Sequence, residues 1–267
     1  MGTLSQRIRA LVALGHYFKY FDENKPEYLP FVRAIEKANI ENGWFRKKEC
    51  LHAIACWGIA LEKEKIQKWL AAYEIEENRT PKIIALVLAG NLPMVGFHDL
   101  IAIWVTGNIA LVKCSSKDKV LIPFIVNNNS LLKSMTSFTS EKLEDFDAVI
   151  ATGSNNAARY FNYYFSKYPS IIRKNRNGIA ILNGNETKLE LEGLGRDMLQ
   201  YFGLGCRSVS KLYLPQGYDL NKIFGGIYPF SNLINVNKYA NNYDYNKAIF
   251  LMSEFEFKEN GFFMLKK

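Results

Sequence analysis

The sequence predicts an α/β protein: a doubly wound parallel sheet with a helical N-terminal part, followed by a smaller, partial α/β portion. Two observations support this. Ile83-Ile84-Ala85-Leu86-Val87-Leu88, Ile109-Ala110-Leu111-Val112-Lys113 and Ala148-Val149-Ile150-Ala151 are short, continuous apolar runs, as in strands covered on both faces. Between them the apolar spacing turns helical, so strand and helix alternate along the chain.

Each element has its own local reason. Thr3-Leu4-Ser5-Gln6 resembles a capping box, and Leu4, Ile8, Leu11, Val12, Gly15 and Phe18 then share one helical face. Pro30 opens a second helix over residues 31–40, stopped by Asn42-Gly43. Residues 49–73 continue as one or two helices. Cys50, Ala53, Ile54 and Trp57 stand at helical spacing there, so Cys50 and Cys56 read as packing residues. After the first strand comes the loop Gly90-Asn91-Leu92-Pro93, then a helix over 95–106 that ends at Gly107. Ser115-Ser116-Lys117-Asp118 can cap a helix running through Phe124 toward Leu132. Gly153-Ser154 turns the third strand into a helix over 156–165, rich in aromatic residues. A second set follows: strand 179–182, helix 189–202, strand 209–214 and helix 220–228. The polar pairs and triplets at 127–129 and 241–242 read as loops or helix ends. The expected division is residues 1–177, the helical part with a nucleotide-binding sheet, and residues 178–267, a partial catalytic domain.

Composition narrows the function. Hydrophobic residues make up 48% of the 267, enough for a real core, and 22% charged residues exclude a disordered chain. The net charge of +8 sits partly in clusters such as Arg46-Lys47-Lys48 and Arg173-Lys174-Asn175-Arg176. Such clusters suit a solvated surface or a phosphate-rich ligand such as a nucleotide or coenzyme A. No nucleic-acid-binding motif is visible. Four cysteines without a CxxC pair, and three histidines, give no metal site and fit a reducing cytoplasm. The longest apolar stretch, 83–112, is interrupted by Asn91, Pro93, His98, Asp99 and Asn108, so no membrane span is expected.

Open α/β sheets bind ligands beyond the carboxyl ends of their strands. Asn91, Lys113, Ser115, Ser116, Gly153 and Ser154 all fall there. The GxGxxG and P-loop motifs are both absent, so a nucleotide would be held in another way. Cys206 stands apart, in Tyr201-Phe202-Gly203-Leu204-Gly205-Cys206-Arg207-Ser208 between a predicted helix and a predicted strand. A thiol presented by glycines can be a nucleophile, and an amide such as that of Asn91 can hold an oxyanion. Each residue also has an ordinary use: Asn91 as a turn residue before Pro93, Lys113 as a strand-end lysine, Gly153-Ser154 as a helix cap, Cys206 as a small buried residue.

Taken together these motifs resemble the aldehyde dehydrogenase superfamily, and within it the LuxC-type acyl-CoA reductases, over residues 82–214. Gly90-Asn91-Leu92-Pro93 is similar to the Asn-Phe-Pro loop whose Asn stabilises the oxyanion. Gly107-Asn108-Ile109-Ala110-Leu111-Val112-Lys113-Cys114-Ser115-Ser116 is similar to the Gly-Asn…Lys-Pro-Ser-Glu segment, whose Lys meets the adenosine ribose. Thr152-Gly153-Ser154 matches the Thr-Gly-Ser turn at the cofactor pyrophosphate, and Cys206 falls where the nucleophile follows a Gly-containing turn. The resemblance implies reduction of a fatty acyl-CoA, or another activated acyl donor, to an aldehyde through a Cys206 thioester. A homo-oligomer stays open. An acyl-phosphate reductase of the glutamyl-phosphate type and a non-catalytic nucleotide-binding module are the alternatives.

Three departures sharpen the expectation. Where dehydrogenases carry Glu-Leu-Gly-Gly-Lys, with the Glu that activates the deacylating water, this chain has Ile172-Arg173-Lys174-Asn175-Arg176-Asn177-Gly178 and no carboxylate. Ser116 replaces a ribose-binding Glu beside Lys113 and Lys117, which favours NADPH, with NADH also admitted. The family continues well past the cysteine, so a truncated form is expected, with activity and closure over the cofactor open.

Overall fold

The computed structural model describes residues 2–77 and 80–266. The chain folds as two units, Met1–Asn175 and Arg176–Lys267.

The first unit begins with α1 (Leu4–Lys19), α2 (Leu29–Glu41), α3 (Lys47–Ala60) and α4 (Lys63–Leu70). The capping box on α1 is formed: Thr3 accepts from the Gln6 N–H and Gln6 accepts from the Thr3 N–H. Its buried stripe is Arg7, Leu11, Leu14, Gly15 and Phe18, one helical face. Cys50 is buried on α3 with Ala53 and Ile54, as its spacing predicts. Cys56 is exposed, against expectation. Six residues after Cys50, it has rotated off the stripe that the three- and four-residue steps keep inward.

A five-stranded parallel sheet follows, formed by β1 (Ile83–Val87), β2 (Ile109–Lys113), β3 (Thr136–Phe138), β4 (Ala148–Thr152) and β5 (Ser170–Arg173). Its spatial order is β3-β2-β1-β4-β5. α5 (Phe97–Val105) joins β1 to β2, α6 (Leu121–Asn127) and α7 (Ser130–Ser134) lead into β3, and α8 (Asn155–Tyr164) joins β4 to β5. The one helix expected between residues 115 and 132 is therefore two. Asn128 caps the end of α6, and the Asn129 side chain accepts from the Leu132 N–H to start α7. β3 and β5 have no counterpart in the sequence reading. They are the two edge strands and carry Thr136, Ser137 and Ser170, so neither shows the continuous apolar run of a central strand.

The helical N-terminus packs on this sheet unit through aromatic rings. Phe31 of α2, fully buried, stacks on Phe124 of α6 with ring centres 5.1 Å apart and planes 6° from parallel. Phe18, Phe97 and Trp104 continue the cluster. On α8 the aromatic run divides. Phe161 and Phe165 pack against Val149 and Ala151, whereas Tyr160, Tyr163 and Tyr164 are exposed.

The second unit contains β6 (Gly178–Ile181), α9 (Lys188–Leu199), β7 (Val209–Tyr213), α10 (Leu220–Ile227), α11 (Asn237–Met252), β8 (Phe257–Glu259) and β9 (Met264–Lys266). β6 and β7 pair in parallel, and β8 and β9 form an antiparallel hairpin. Leu182, Leu191, Met198, Leu199, Ile223, Ile227 and Phe262 form its core. The helix expected to reach residue 202 ends at Leu199, because Tyr201 and Phe202 take left-handed backbone angles. Asn241-Asn242, expected in a loop or at a helix end, lie inside α11, where Tyr239 and Tyr243, one turn apart, are buried.

The Phe31–Phe124 stack is expected to hold α2 against the sheet unit. Phe31→Ala should cost about 3–5 kcal/mol, the usual range for deleting a buried phenyl group. Urea denaturation of both proteins measures it; a loss under about 1 kcal/mol would mean the cavity closes without the ring.

Candidate functional site

The strand order makes the site. From β1 the chain winds outward to β2 and β3, then returns to place β4 on the other side of β1. The order reverses between β1 and β4, and beyond the carboxyl ends of such strands a crevice is left open for ligands. The loops after β1, β2 and β4 meet there. They carry Asn91, Lys113, Ser115, Ser116, Gly153 and Ser154, so the fold brings these six predicted residues to one end of one sheet.

β1 and β2 stay paired to their ends, where the Leu88 N–H donates to the Lys113 carbonyl at 3.1 Å. Beyond that point the loops touch. A Cβ on Gly90 would stand 2.5 Å from Ser115 Oγ, so only glycine admits this approach. Asn91 follows at once and is half-buried. Lys113 is half-buried, and its Nζ donates to the Glu141 carbonyl at 2.9 Å. Ser115 Oγ accepts from the Lys117 N–H at 3.2 Å, while Ser116 and Lys117 are exposed. At β4 the Gly153 N–H donates to the Arg173 carbonyl. Ser154 caps α8, accepting from the Ala157 N–H at 3.2 Å. Ser154, Asn155 and Asn156 are exposed, so the first turn of α8 presents backbone N–H groups and its positive dipole end to solvent. A loop with no carboxylate at Ser116 and an open helix N-terminus suit the ribose and pyrophosphate of a dinucleotide. Among the described residues no group of His, Cys, Asp or Glu is arranged for a metal.

Four residues at this end were not singled out in the sequence as site residues. Asn42, read only as a helix stop, is 4% exposed and donates from Nδ2 to the carbonyls of Gly90, at 3.4 Å, and Lys117, at 3.2 Å. Asp118, read as part of a helix cap, accepts from the backbone N–H groups of Leu121, Val120 and Met94. Its burial outweighs those donors and, helped by Glu41, lifts its carboxyl to about 6. Asp118 in turn adds to the burial that raises the Cys50 thiol to about 12 and the Cys114 thiol to about 11. Asp99, in the first turn of α5, meets Arg173 at the end of β5, whose Nη1 donates to both carboxylate oxygens at 2.7 Å. Arg173 lies in the stretch that lacks the dehydrogenase Glu, so the carboxylate found near that stretch is already engaged by a guanidinium. No local pattern announces the contacts of Asn42 or the Asp99–Arg173 pair, which span 48 to 75 residues of sequence.

Cys206 lies in the second unit and is exposed, which removes the reading as a buried packing residue. It occupies a turn closed by the Ser208 N–H donating to the Gly205 carbonyl at 3.0 Å. The turn follows Tyr201 and Phe202, both at positive φ, and leads into β7. Gly178 lets it lie against β6: a Cβ there would be 2.7 Å from the Arg207 carbonyl oxygen. Of the other thiols, Cys50 is buried, Cys114 half-buried, and Cys56 exposed beside His52.

No protein-family model matches the chain. Among curated proteins it is similar to long-chain acyl-protein thioester reductase 2 of Photobacterium leiognathi, at 22% identity over 243 residues. The match takes in 79% of this chain and 50% of that protein, so the chain spans about half the length of the curated relative. Among solved structures, the aldehyde dehydrogenase KauB of Pseudomonas aeruginosa superposes with a TM-score of 0.57 at 13% identity, over 85% of this chain and 50% of that one. An aldehyde dehydrogenase of Bacillus cereus, solved with NAD+, gives 0.58 at 12%, over 86% and 50%. Aldehyde dehydrogenase C of Pseudomonas syringae, solved with NAD+ and octanal, gives 0.56 at 13%, over 85% and 54%.

This chain has the aldehyde dehydrogenase fold. Within that fold its similarity is to the LuxC-type reductases, the resemblance its motifs carry. No helix among the described residues is long and apolar enough to cross a membrane.

The buried carboxyl of Asp118 makes a pH prediction. Its folded-state value lies above the ordinary 3.8. Its protonated form therefore favours the fold, and that contribution is lost as pH rises from about 4 through about 6. The stability of the wild type relative to Asp118→Asn should fall by roughly 3 kcal/mol between pH 4 and 7. Urea midpoints across that range measure it, and a difference independent of pH would show that Asp118 does not titrate there.

Proposed function

We propose that the chain serves the reduction of an activated acyl group, a fatty acyl-CoA or a comparable acyl thioester, to an aldehyde with NADPH. The observation that supports it best is Cys206: an exposed thiol on a glycine-flanked turn, in a fold shared with aldehyde dehydrogenases. The four free cysteines suit a reducing, cytoplasmic setting.

Cys206 gives its proton to solvent, and the thiolate attacks the thioester carbonyl carbon. The carbonyl π pair moves onto oxygen, where the Asn91 amide donates to it; one such donor is commonly worth about 10²–10³ in rate. The oxyanion then collapses, the bond to the CoA sulfur breaks, and CoA leaves as a thiol after taking a proton. Lys113, Ser115 and Ser116 would hold the adenosine ribose, and Gly153 and Ser154 the pyrophosphate. When bound, the nicotinamide cofactor would supply the hydride that reduces the Cys206 thioester. The resulting thiohemiacetal releases the aldehyde and restores the thiol. Residues 172–178 carry no carboxylate to activate water, and the Asp99 carboxylate is engaged through both oxygens by Arg173, so a Cys206 thioester should survive for reduction.

Incubation with a panel of acyl-CoAs and acyl phosphates, followed by intact-mass and peptide mapping, is expected to show one acyl group on Cys206. The adduct should persist for minutes without NADPH, since a general base is worth about 10²–10⁴ in rate and residues 172–178 carry no carboxylate to supply one. Asn91→Ala should slow acylation at least tenfold in a folded chain. No adduct, or an adduct on Cys56 that survives Cys206→Ala, would leave a nucleotide-binding module as the better reading. Faster acylation by an acyl phosphate would move the substrate to that class.

Cofactor preference is a separate expectation. NADPH should bind more tightly than NADH, because Ser116 offers no carboxylate to repel a 2′-phosphate and Lys117 stands beside it. Fluorescence titration of both decides; equal affinity, or tighter NADH, removes the charge argument.

A further inference from the structure

We propose that Asn42 and Asp118 are positioning residues that lock the loop at 90–94 to the loop at 115–118, so that the oxyanion donor and the dinucleotide contacts are set together. The inference rests on the roles assigned above to Asn91, Ser115 and Ser116.

The loop at 90–94 is held at both ends by these two side chains, and the loop at 115–118 is held by the Asn42 amide and carries Asp118 itself. Asn42 sits at the C-terminal end of α2. Its Oδ1 accepts from the Trp44 N–H at 3.2 Å, which fixes the rotation of the amide. The two Nδ2 hydrogens then go to separate loops, to the Gly90 carbonyl at 3.4 Å and the Lys117 carbonyl at 3.2 Å. Asp118 works from the other side. Its own N–H donates to the Ser115 carbonyl at 3.1 Å, while its carboxylate receives the Met94 N–H. Met94 has φ +58°, a left-handed angle that is costly for a non-glycine residue and persists only where its neighbours hold it. Asn91 therefore stands between two tethered points, Gly90 and Met94, and Ser116 between Ser115 and the Lys117-Asp118 pair.

Both groups are out of solvent, Asn42 at 4% and Asp118 at 6% exposure. A buried amide and a buried carboxylate are costly unless their hydrogen bonds are made. A displacement of either loop breaks bonds to these side chains, which also hold the other loop. Ligand contacts at Ser115 and Ser116 are thereby linked to the placement of the Asn91 amide. A purely structural role would predict that loss of either side chain loosens the whole unit.

The variants are chosen to keep size and the local turn. Asn42→Asp retains the acceptor for Trp44 and replaces both outgoing donors with an oxygen. Asp118→Asn retains the shape and replaces one acceptor with a donor. Hydrogen exchange by mass spectrometry on the full chain, with and without NADPH, reads the loops directly. In either variant the amides of 90–94 and 115–118 should exchange about tenfold faster together, with α1, α3 and the central strands unchanged. Acylation of Cys206 should fall at least tenfold at saturating acyl-CoA, while the half-saturating acyl-CoA concentration stays within twofold. Faster exchange spread evenly over the unit, or confined to one loop in both variants, overturns the proposal. So does an unchanged acylation rate in a variant whose two loops have loosened. If one variant does not fold, the other decides by the same criteria. If the wild type never acylates Cys206 but both loops loosen together in a variant, the lock stands and the reductase reading fails.

Discussion

The parallel pairing of β1 with β2 on one side and β4 on the other is the constraint on which the first unit depends. Parallel neighbours must be joined by crossovers, and these must run back over the faces of the sheet. α5 and α8 are such crossovers, and their return places every strand's carboxyl end on the same side. The loops at that side then converge where the winding reverses. Ala85, Leu86, Ala110, Val112, Val149 and Ala151 are at most 1% exposed, so the centre of the sheet is fixed by burial as well as by hydrogen bonds. The loops inherit their positions from strands that cannot slip without moving each side chain to the opposite face.

Polar side chains complete what burial begins. Apolar packing is non-directional and places elements without choosing loop conformations. Among the described residues, the buried polar side chains of Asn42, Asn108 and Asp118 lie at loop junctions. Asn108 accepts from the Lys82 N–H and donates to Thr106, tying the entries of β1 and β2 together. Arg7 reaches from α1 to the Val105 carbonyl at the end of α5. Asn42 and Asp118 do the same at the carboxyl side. Each such group holds its loop because an unmade bond there would leave a desolvated polar atom.

In the second unit the backbone leading to Cys206 is unusual. α9 ends abruptly, two non-glycine residues take left-handed angles, and Gly203 follows at φ +71°. Phe202 is nonetheless buried, near Tyr239, so packing supports the unusual backbone. The turn that follows stands proud of the core, with Cys206 and Arg207 exposed and the chain re-entering regular structure at β7. For the role proposed for Cys206, a rigid approach would limit the conformations the thiol must abandon before attack.

The central strands, their helices and the carboxyl side of the sheet were legible because apolar runs and helical spacing are local signals. So was the position of Asn91, Lys113, Ser115, Ser116, Gly153 and Ser154, since a residue just past an apolar run must stand at a strand's carboxyl end. β3 and β5 were not legible: edge strands are covered less and need no continuous apolar run. α11 was missed because its polar Asn-rich sequence is held helical by Tyr239 and Tyr243, whose burial depends on Phe262 and the terminal hairpin. Asn42, Asp118 and the Asp99–Arg173 pair were decided by tertiary structure alone. A hydrogen bond between residues 48 or 75 positions apart exists only after the sheet has brought its loops together, and nothing in the flanking residues encodes the meeting.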